Sequence, residues 1–293
     1  METMERFLAG YIQEIIRNYP QDRDGQRFQK EYFQYISSGE LSFSYRWCIL
    51  TYNVGMFFKV NRRRDYAEQV FKYLIDVYDR KLHDQTERAQ YIGLAGEAYD
   101  SLASLYYDEK DMIKALPMLT MAMECYKEAM PKNKKYMLKG TEIGYGFGLI
   151  LQEIGNYIEA EKAMKNAVLN FRNCMNVPEF DRSQIVVGLL KVLNSLGTLY
   201  YNQKKVSEAW NCHNEAVGVY AEAQKAGLVT DMAMSVMADV YCNMGNEYAD
   251  FGDSASARMY YNAALSFCDA LENRMPFISQ TRRLIQRNMA TLR

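Results

Sequence analysis

Phe147–Ala167 reads FGLILQEIGNYIEAEKAMKNA. Two helical stretches lie either side of Gly155-Asn156, a turn signal that ends one helix and starts another. Gly148 sits near the start of the first stretch and Ala160 in the second. Two antiparallel helices that cross closely need a small residue on each, with large residues such as Leu151 and Met164 filling the space beside them.

The same pattern recurs without gaps in four other windows: Val54–Leu74, Leu102–Ala122, Leu196–Ala216 and Met244–Ala264. Position 2 of each window is small: Gly55, Ala103, Gly148, Gly197, Gly245. Position 5 is large: Phe58, Tyr106, Leu151, Tyr200, Tyr248. Position 14 is alanine throughout, and Ala67, Ala115, Ala160, Ala209 and Ala257 recur 48, 45, 49 and 48 residues apart. Position 18 is bulky, as Phe71, Leu119, Met164, His213 and Tyr261, and four windows close on alanine. A single hairpin cannot bury its apolar side alone, so such units stack on one another.

This pattern resembles the tetratricopeptide repeat over roughly residues 43–272. The usual period is about 34 residues, so each unit here is longer and its helices are expected to be longer. Helices are predicted at 135–154, 157–174, 183–203, 206–226, 231–251 and 254–272. Long repeats of this kind are similar to those of kinesin light chains and of bacterial peptide-pheromone receptors. The resemblance implies an all-α, right-handed α-α superhelix, a solenoid of about five hairpins, over one domain spanning 1–293. Residues 1–41 are expected to cap it at one end with two helices, near 4–19 and 26–37. Five repeats would fill 42–272. Residues 273–293 would cap the other end with a helix opening near Pro276. Phe277, Leu284, Ile285, Met289 and Leu292 would form its apolar side, and Arg282, Arg283, Arg287 and Arg293 its basic side.

In this family the first helix of each unit lines the inner, concave surface. Carried onto this chain, that surface presents Tyr52, Lys59, Glu97, Asp100, Ser104 and Tyr107. It continues through Glu142, Tyr145, Gln152, Lys191, Asn194, Thr198 and Tyr201 to Asn246 and Asp250. Its middle is acidic with tyrosines between. The expected partner is therefore a protein or peptide, extended or helical, carrying a basic segment, with asparagines available to its backbone. Relatives that grip a C-terminal carboxylate use lysines and asparagines, and only Lys191 and Asn194 approach that arrangement. Two functions stay open: a protein-binding scaffold, and a peptide-gated sensor that controls a partner.

Composition fits this reading. Hydrophobic residues make up 49% of the 293, and 35 basic residues face 36 acidic ones. A near-neutral chain carries no basic signature of nucleic-acid binding and none for an anionic membrane. No stretch reaches the ~18 apolar residues of a membrane span. Cys48, Cys125, Cys174, Cys212, Cys242 and Cys268 form no C-x-x-C pair and read as small buried residues in a reducing, cytoplasmic setting. No catalytic residue, metal site or cofactor is expected. His83 reads as a helix-end residue and His213 as a core histidine. Gly140, Gly144, Gly146 and Gly148 lack the preceding strand that a phosphate cradle needs, so they read as close packing or local flexibility within a helix. Arg62–Arg64 and Lys132–Lys135 read as solvated connectors.

Overall fold

The computed structural model describes residues 2–38, 44–82 and 85–292, which leaves His83 and Arg293 outside the described residues. Thirteen helices and no strand occur among them. They are α1 (Glu2–Asn18), α2 (Arg23–Ser38), α3 (Tyr45–Val60), α4 (Arg64–Leu82), α5 (Gln85–Asp108) and α6 (Met112–Ala129). Next come α7 (Lys135–Glu153), α8 (Tyr157–Cys174), α9 (Arg182–Asn202) and α10 (Val206–Lys225), followed by α11 (Asp231–Asp250), α12 (Ser254–Leu271) and α13 (Ile278–Ala290). The six helices predicted between 135 and 272 are all present, each end within one residue. By its internal contacts the chain divides into two compact units, Met1–Ile143 and Gly144–Arg293, and the division falls inside α7.

One turn is repeated five times. Position 9 of every window adopts a left-handed backbone: Arg62 (φ 59°), Lys110 (62°), Gly155 (82°), Lys204 (61°) and Gly252 (80°). The next residue donates its N–H to the carbonyl of position 5. These bonds are Arg63 to Phe58, Asp111 to Tyr106, Asn156 to Leu151, Lys205 to Tyr200 and Asp253 to Tyr248, at 2.8–3.0 Å. This is the Schellman closure, which satisfies a carbonyl that the helix end leaves over. Asp111, Asn156 and Asp253 then cap the second helix by accepting from the backbone N–H of Lys114, Glu159 and Ser256. Arg62, Lys110 and Lys204 hold a conformation that glycine adopts more easily.

In the four hairpins with glycine at position 2, that residue meets the bulky one at position 18. A Cβ on Gly55 would lie 2.7 Å from Phe71, one on Gly148 2.9 Å from Met164, and one on Gly245 2.5 Å from Tyr261. All five position-14 alanines are fully buried.

In the first unit α1 and α2 pack on α3. Leu8, Ile12, Ile15 and Phe28 are buried, and Phe28 meets Phe57 edge-on at 6.0 Å. In the second unit α13 closes the core through Ile278 and Ile285, with Met289 and Leu292 packed against it. Leu284 and Phe277, expected on that apolar side, are about half exposed. Ile278, the first residue of the helix, takes the buried place in line with Ile285, Met289 and Leu292. On the basic side, Arg282 pairs with Asp269 at 2.9 Å and Glu272 at 3.5 Å.

Candidate functional site

Every inner-face residue expected from the sequence lies on the first helix of a hairpin: α3, α5, α7, α9 or α11. Their surroundings differ between the two units.

In the first unit the face carries charge. Glu97 is buried, where exposure was expected, and accepts from Lys135 at 3.3 Å with Lys139 at 3.7 Å. Lys135 thus opens α7 and holds an inter-helix ion pair, and is no simple connector. Likewise Arg63 pairs with Glu14 at 3.5 Å. Tyr52 shares a 3.1 Å hydrogen bond with Ser101, whose hydroxyl also approaches Met56. Ser104 and Tyr107 are half-buried on the same side of α5, and Glu142 is exposed on α7.

Lys59 and Asp100 stand apart from these pairs. Both are half-buried, and neither has a hydrogen bond or an ion pair within 4.0 Å among the described residues. Burial pushes the Lys59 amine pKa down, against the opposing pull of Asp100 and Asp108. Burial pushes the Asp100 carboxyl up, with Lys59 and Lys139 pulling it back and Glu142 and Glu97 adding to the rise. They are opposite charges, each partly stripped of water and within electrostatic reach of the other, yet not in contact.

In the second unit the face is a ladder of hydrogen bonds, neutral except where Asp250 accepts. Tyr145 on α7 bonds Ser195 on α9 at 2.8 Å. Asn243 on α11 donates to Asn194 at 2.9 Å and to Thr198 at 3.3 Å on α9. Tyr201 donates to Asp250. Asn246 accepts from Tyr261 at 2.7 Å and from Asn288 of α13 at 2.9 Å. The asparagines expected to meet a ligand backbone are therefore engaged with neighbouring helices. Lys191 is exposed, while the Gln152 side-chain oxygen is buried without a hydrogen-bond partner.

A second series of contacts joins hairpins at position 15. Glu68 accepts from Tyr106 at 2.8 Å, and Glu161 accepts from Tyr200 at 3.0 Å, each beside a lysine four residues on. Lys165, Tyr200 and Lys205 hold the Glu161 carboxyl down at about 2 despite some burial. His213 is a core residue, as expected, and its Nδ1 lies 2.8 Å from the Glu247 carboxylate. Both are buried, and His213 Nε2 and the second Glu247 oxygen have no partner.

All six cysteines are buried thiols outside any disulfide. Among the described residues no helix is long and apolar enough to cross a membrane.

Residues 238–269 match the tetratricopeptide repeat family model. The fold is similar to that of BtubC from P. vanneervenii, with 17% identity over 92% of this chain and 94% of that one, at a TM-score of 0.63. It is similar to aspartyl phosphate phosphatase F from Bacillus subtilis, with 16% identity over 94% of this chain and 74% of that one, at 0.61. It is similar also to a Rap protein complexed with competence and sporulation factor, with 15% identity over 99% and 74%, at 0.52. Identities this low speak of fold alone. No curated protein sequence matches the chain significantly. Fold and repeat together define the class as an all-α helical repeat of the tetratricopeptide type.

Proposed function

We propose that the chain is a non-catalytic cytoplasmic protein that holds a segment of another protein, and that the charged face of the first unit is where the segment docks. The carrying observation is that Lys59 and Asp100 are half-buried and unpaired beside the Glu97 ion pairs and the Tyr52–Ser101 hydrogen bond. Desolvated charges without partners are costly unless a ligand supplies them. The segment presents a Lys or Arg to Asp100 and Glu142, while Lys59 takes a backbone carbonyl or an acidic side chain from the same segment. In this reading the chain is one repeat array, capped by residues 1–41 and 273–293.

A cellulose array of peptides with scanned Lys and Arg positions, probed with the full chain, supplies binders for titration calorimetry. Asp100→Ala with Glu142→Ala is expected to weaken such a binder tenfold or more. Unchanged affinity removes the proposal.

A second reading, a peptide-gated sensor, is supported by the division of the chain inside α7. Gly144 and Gly146 lie beside it, and a Cβ on either would meet nothing within 4 Å, so close packing does not account for them. Glycine loosens a helix interior. A structural neighbour is also solved in complex with competence and sporulation factor. Small-angle scattering with and without an array-selected peptide separates the readings: a sensor compacts, a scaffold does not.

A further inference from the structure

The second unit contains a cavity of about 570 Å³ away from the hydrogen-bonded ladder, between the end of α8, the first half of α9 and the last turns of α10. Val186, Leu189 and Ala223 form a buried apolar floor, and Met175, Val219 and Leu228 form half-buried walls. Leu228 is folded over the end of α10 by a left-handed Gly227 (φ 69°) and a 2.9 Å bond from its N–H to the Ala223 carbonyl.

Gly218 opens this space. An interior glycine weakens a helix relative to alanine, and on α9 tight packing explains it. A Cβ on Gly188 would lie 2.4 Å from Phe171, and one on Gly197 2.4 Å from His213. A Cβ on Gly218 would meet nothing within 4 Å. Gly218 is exposed at the edge of the cavity, so a leucine there would add bulk at its opening.

The rim is bipolar. Arg172 is tied to Glu215. Arg182, at the first turn of α9, and Glu222, on α10, have no ion pair or side-chain hydrogen bond among the described residues. A guanidinium and a carboxylate over an apolar floor match a ligand with an anionic end, a cationic end and greasy side chains between. The volume is that of a small-ligand site and holds roughly two or three apolar side chains.

We propose that this cavity binds a free di- or tripeptide with apolar side chains, its carboxylate on Arg182 and its ammonium on Glu222. The site is separate from the charged face of the first unit and does not rest on the function proposed for it.

Titration calorimetry of the full chain with dileucine tests it. Dileucine is expected to bind, diglycine not to bind, and N-acetyl-dileucine and dileucine amide each to bind at least tenfold more weakly. Gly218→Leu is expected to abolish binding while leaving the melting temperature equal or higher. Arg182→Gln and Glu222→Gln, both at exposed positions, are expected to weaken dileucine tenfold and keep the read-out valid if Gly218→Leu folds poorly. No heat from dileucine at millimolar concentration, equal binding of the capped peptides, or undiminished binding by Arg182→Gln and Glu222→Gln would overturn the proposal.

Discussion

The first helices of the two units occupy equivalent places in equivalent hairpins, yet they use their outward residues differently. In the second unit Tyr145, Asn194, Thr198, Tyr201 and Asn246 bond to the next helix or its partner. In the first unit Tyr52 is tied to Ser101 and Glu97 to Lys135 and Lys139, while Lys59 and Asp100 remain unpaired. Neutral ladders of short side chains add stability and leave little for a ligand. Partly desolvated charges without partners do the reverse. The comparison therefore assigns cohesion to the second unit's face and recognition to the first's.

The largest expected effect probes cohesion in the second unit. His213→Leu leaves the Glu247 carboxylate buried without its partner and should destabilise by about 3–5 kcal/mol. Adding Glu247→Leu should recover most of that loss in urea unfolding, and a loss that persists would show that shape, not the pair, matters there.

Next comes the contrast of faces. Asn243→Ala removes two hydrogen bonds and should cost about 1–2 kcal/mol. Lys59→Met removes an unpaired desolvated charge and should be neutral or stabilising by up to about 1 kcal/mol. Two losses of similar size would erase the distinction between the faces.

Tyr106→Phe and Tyr200→Phe offer a control. Both hydroxyls donate to the glutamate of the preceding hairpin, so each should lose about 0.5–1 kcal/mol, equally in both units by denaturant midpoint.

The smallest effect is in pH. Glu161 is held at about 2 against an ordinary 4.5, so its contribution is present above pH 4.5 and is lost as pH falls toward 2. Its pair is largely solvent-exposed, so the change should stay below about 1 kcal/mol. Asp100 is shifted upward from 3.8, so its folded form holds the proton more tightly. Its contribution is greatest in acid and declines as pH rises through the carboxylate range. Glu161→Gln should flatten the acid loss, and Asp100→Asn the opposing slope, in melting temperatures measured from pH 2 to 7.

Much of this architecture was legible because packing constrained the sequence at fixed offsets. Gly197 must be small where His213 crosses it, and Ala209 must be small where α10 crosses α9. The left-handed turn was legible only at Gly155 and Gly252. Arg62, Lys110 and Lys204 hide the same conformation because the helix-end hydrogen bonds impose it on them. The site was less readable. Helical phase places Tyr145, Asn194 and Thr198 on the inner helices but does not reveal that the next hairpin already bonds them. Nor does it reveal that Glu97 is buried against Lys135 and Lys139, residues on a different helix. One signal was available: Glu68 with Tyr106, and Glu161 with Tyr200, repeat the same two residue types at position 15 of one window and position 5 of the next. A polar pair repeated at fixed offsets marks a contact that single positions cannot.

Native-state hydrogen exchange tests the central contrast most directly, because it reads each helix separately. Lys59→Met is expected to leave protection of α3 and α5 unchanged or raised, while Asn243→Ala lowers protection of α9 and α11. Lowered protection of α3 and α5 in Lys59→Met would mean that this lysine holds the first unit together, and would contradict its assignment to recognition.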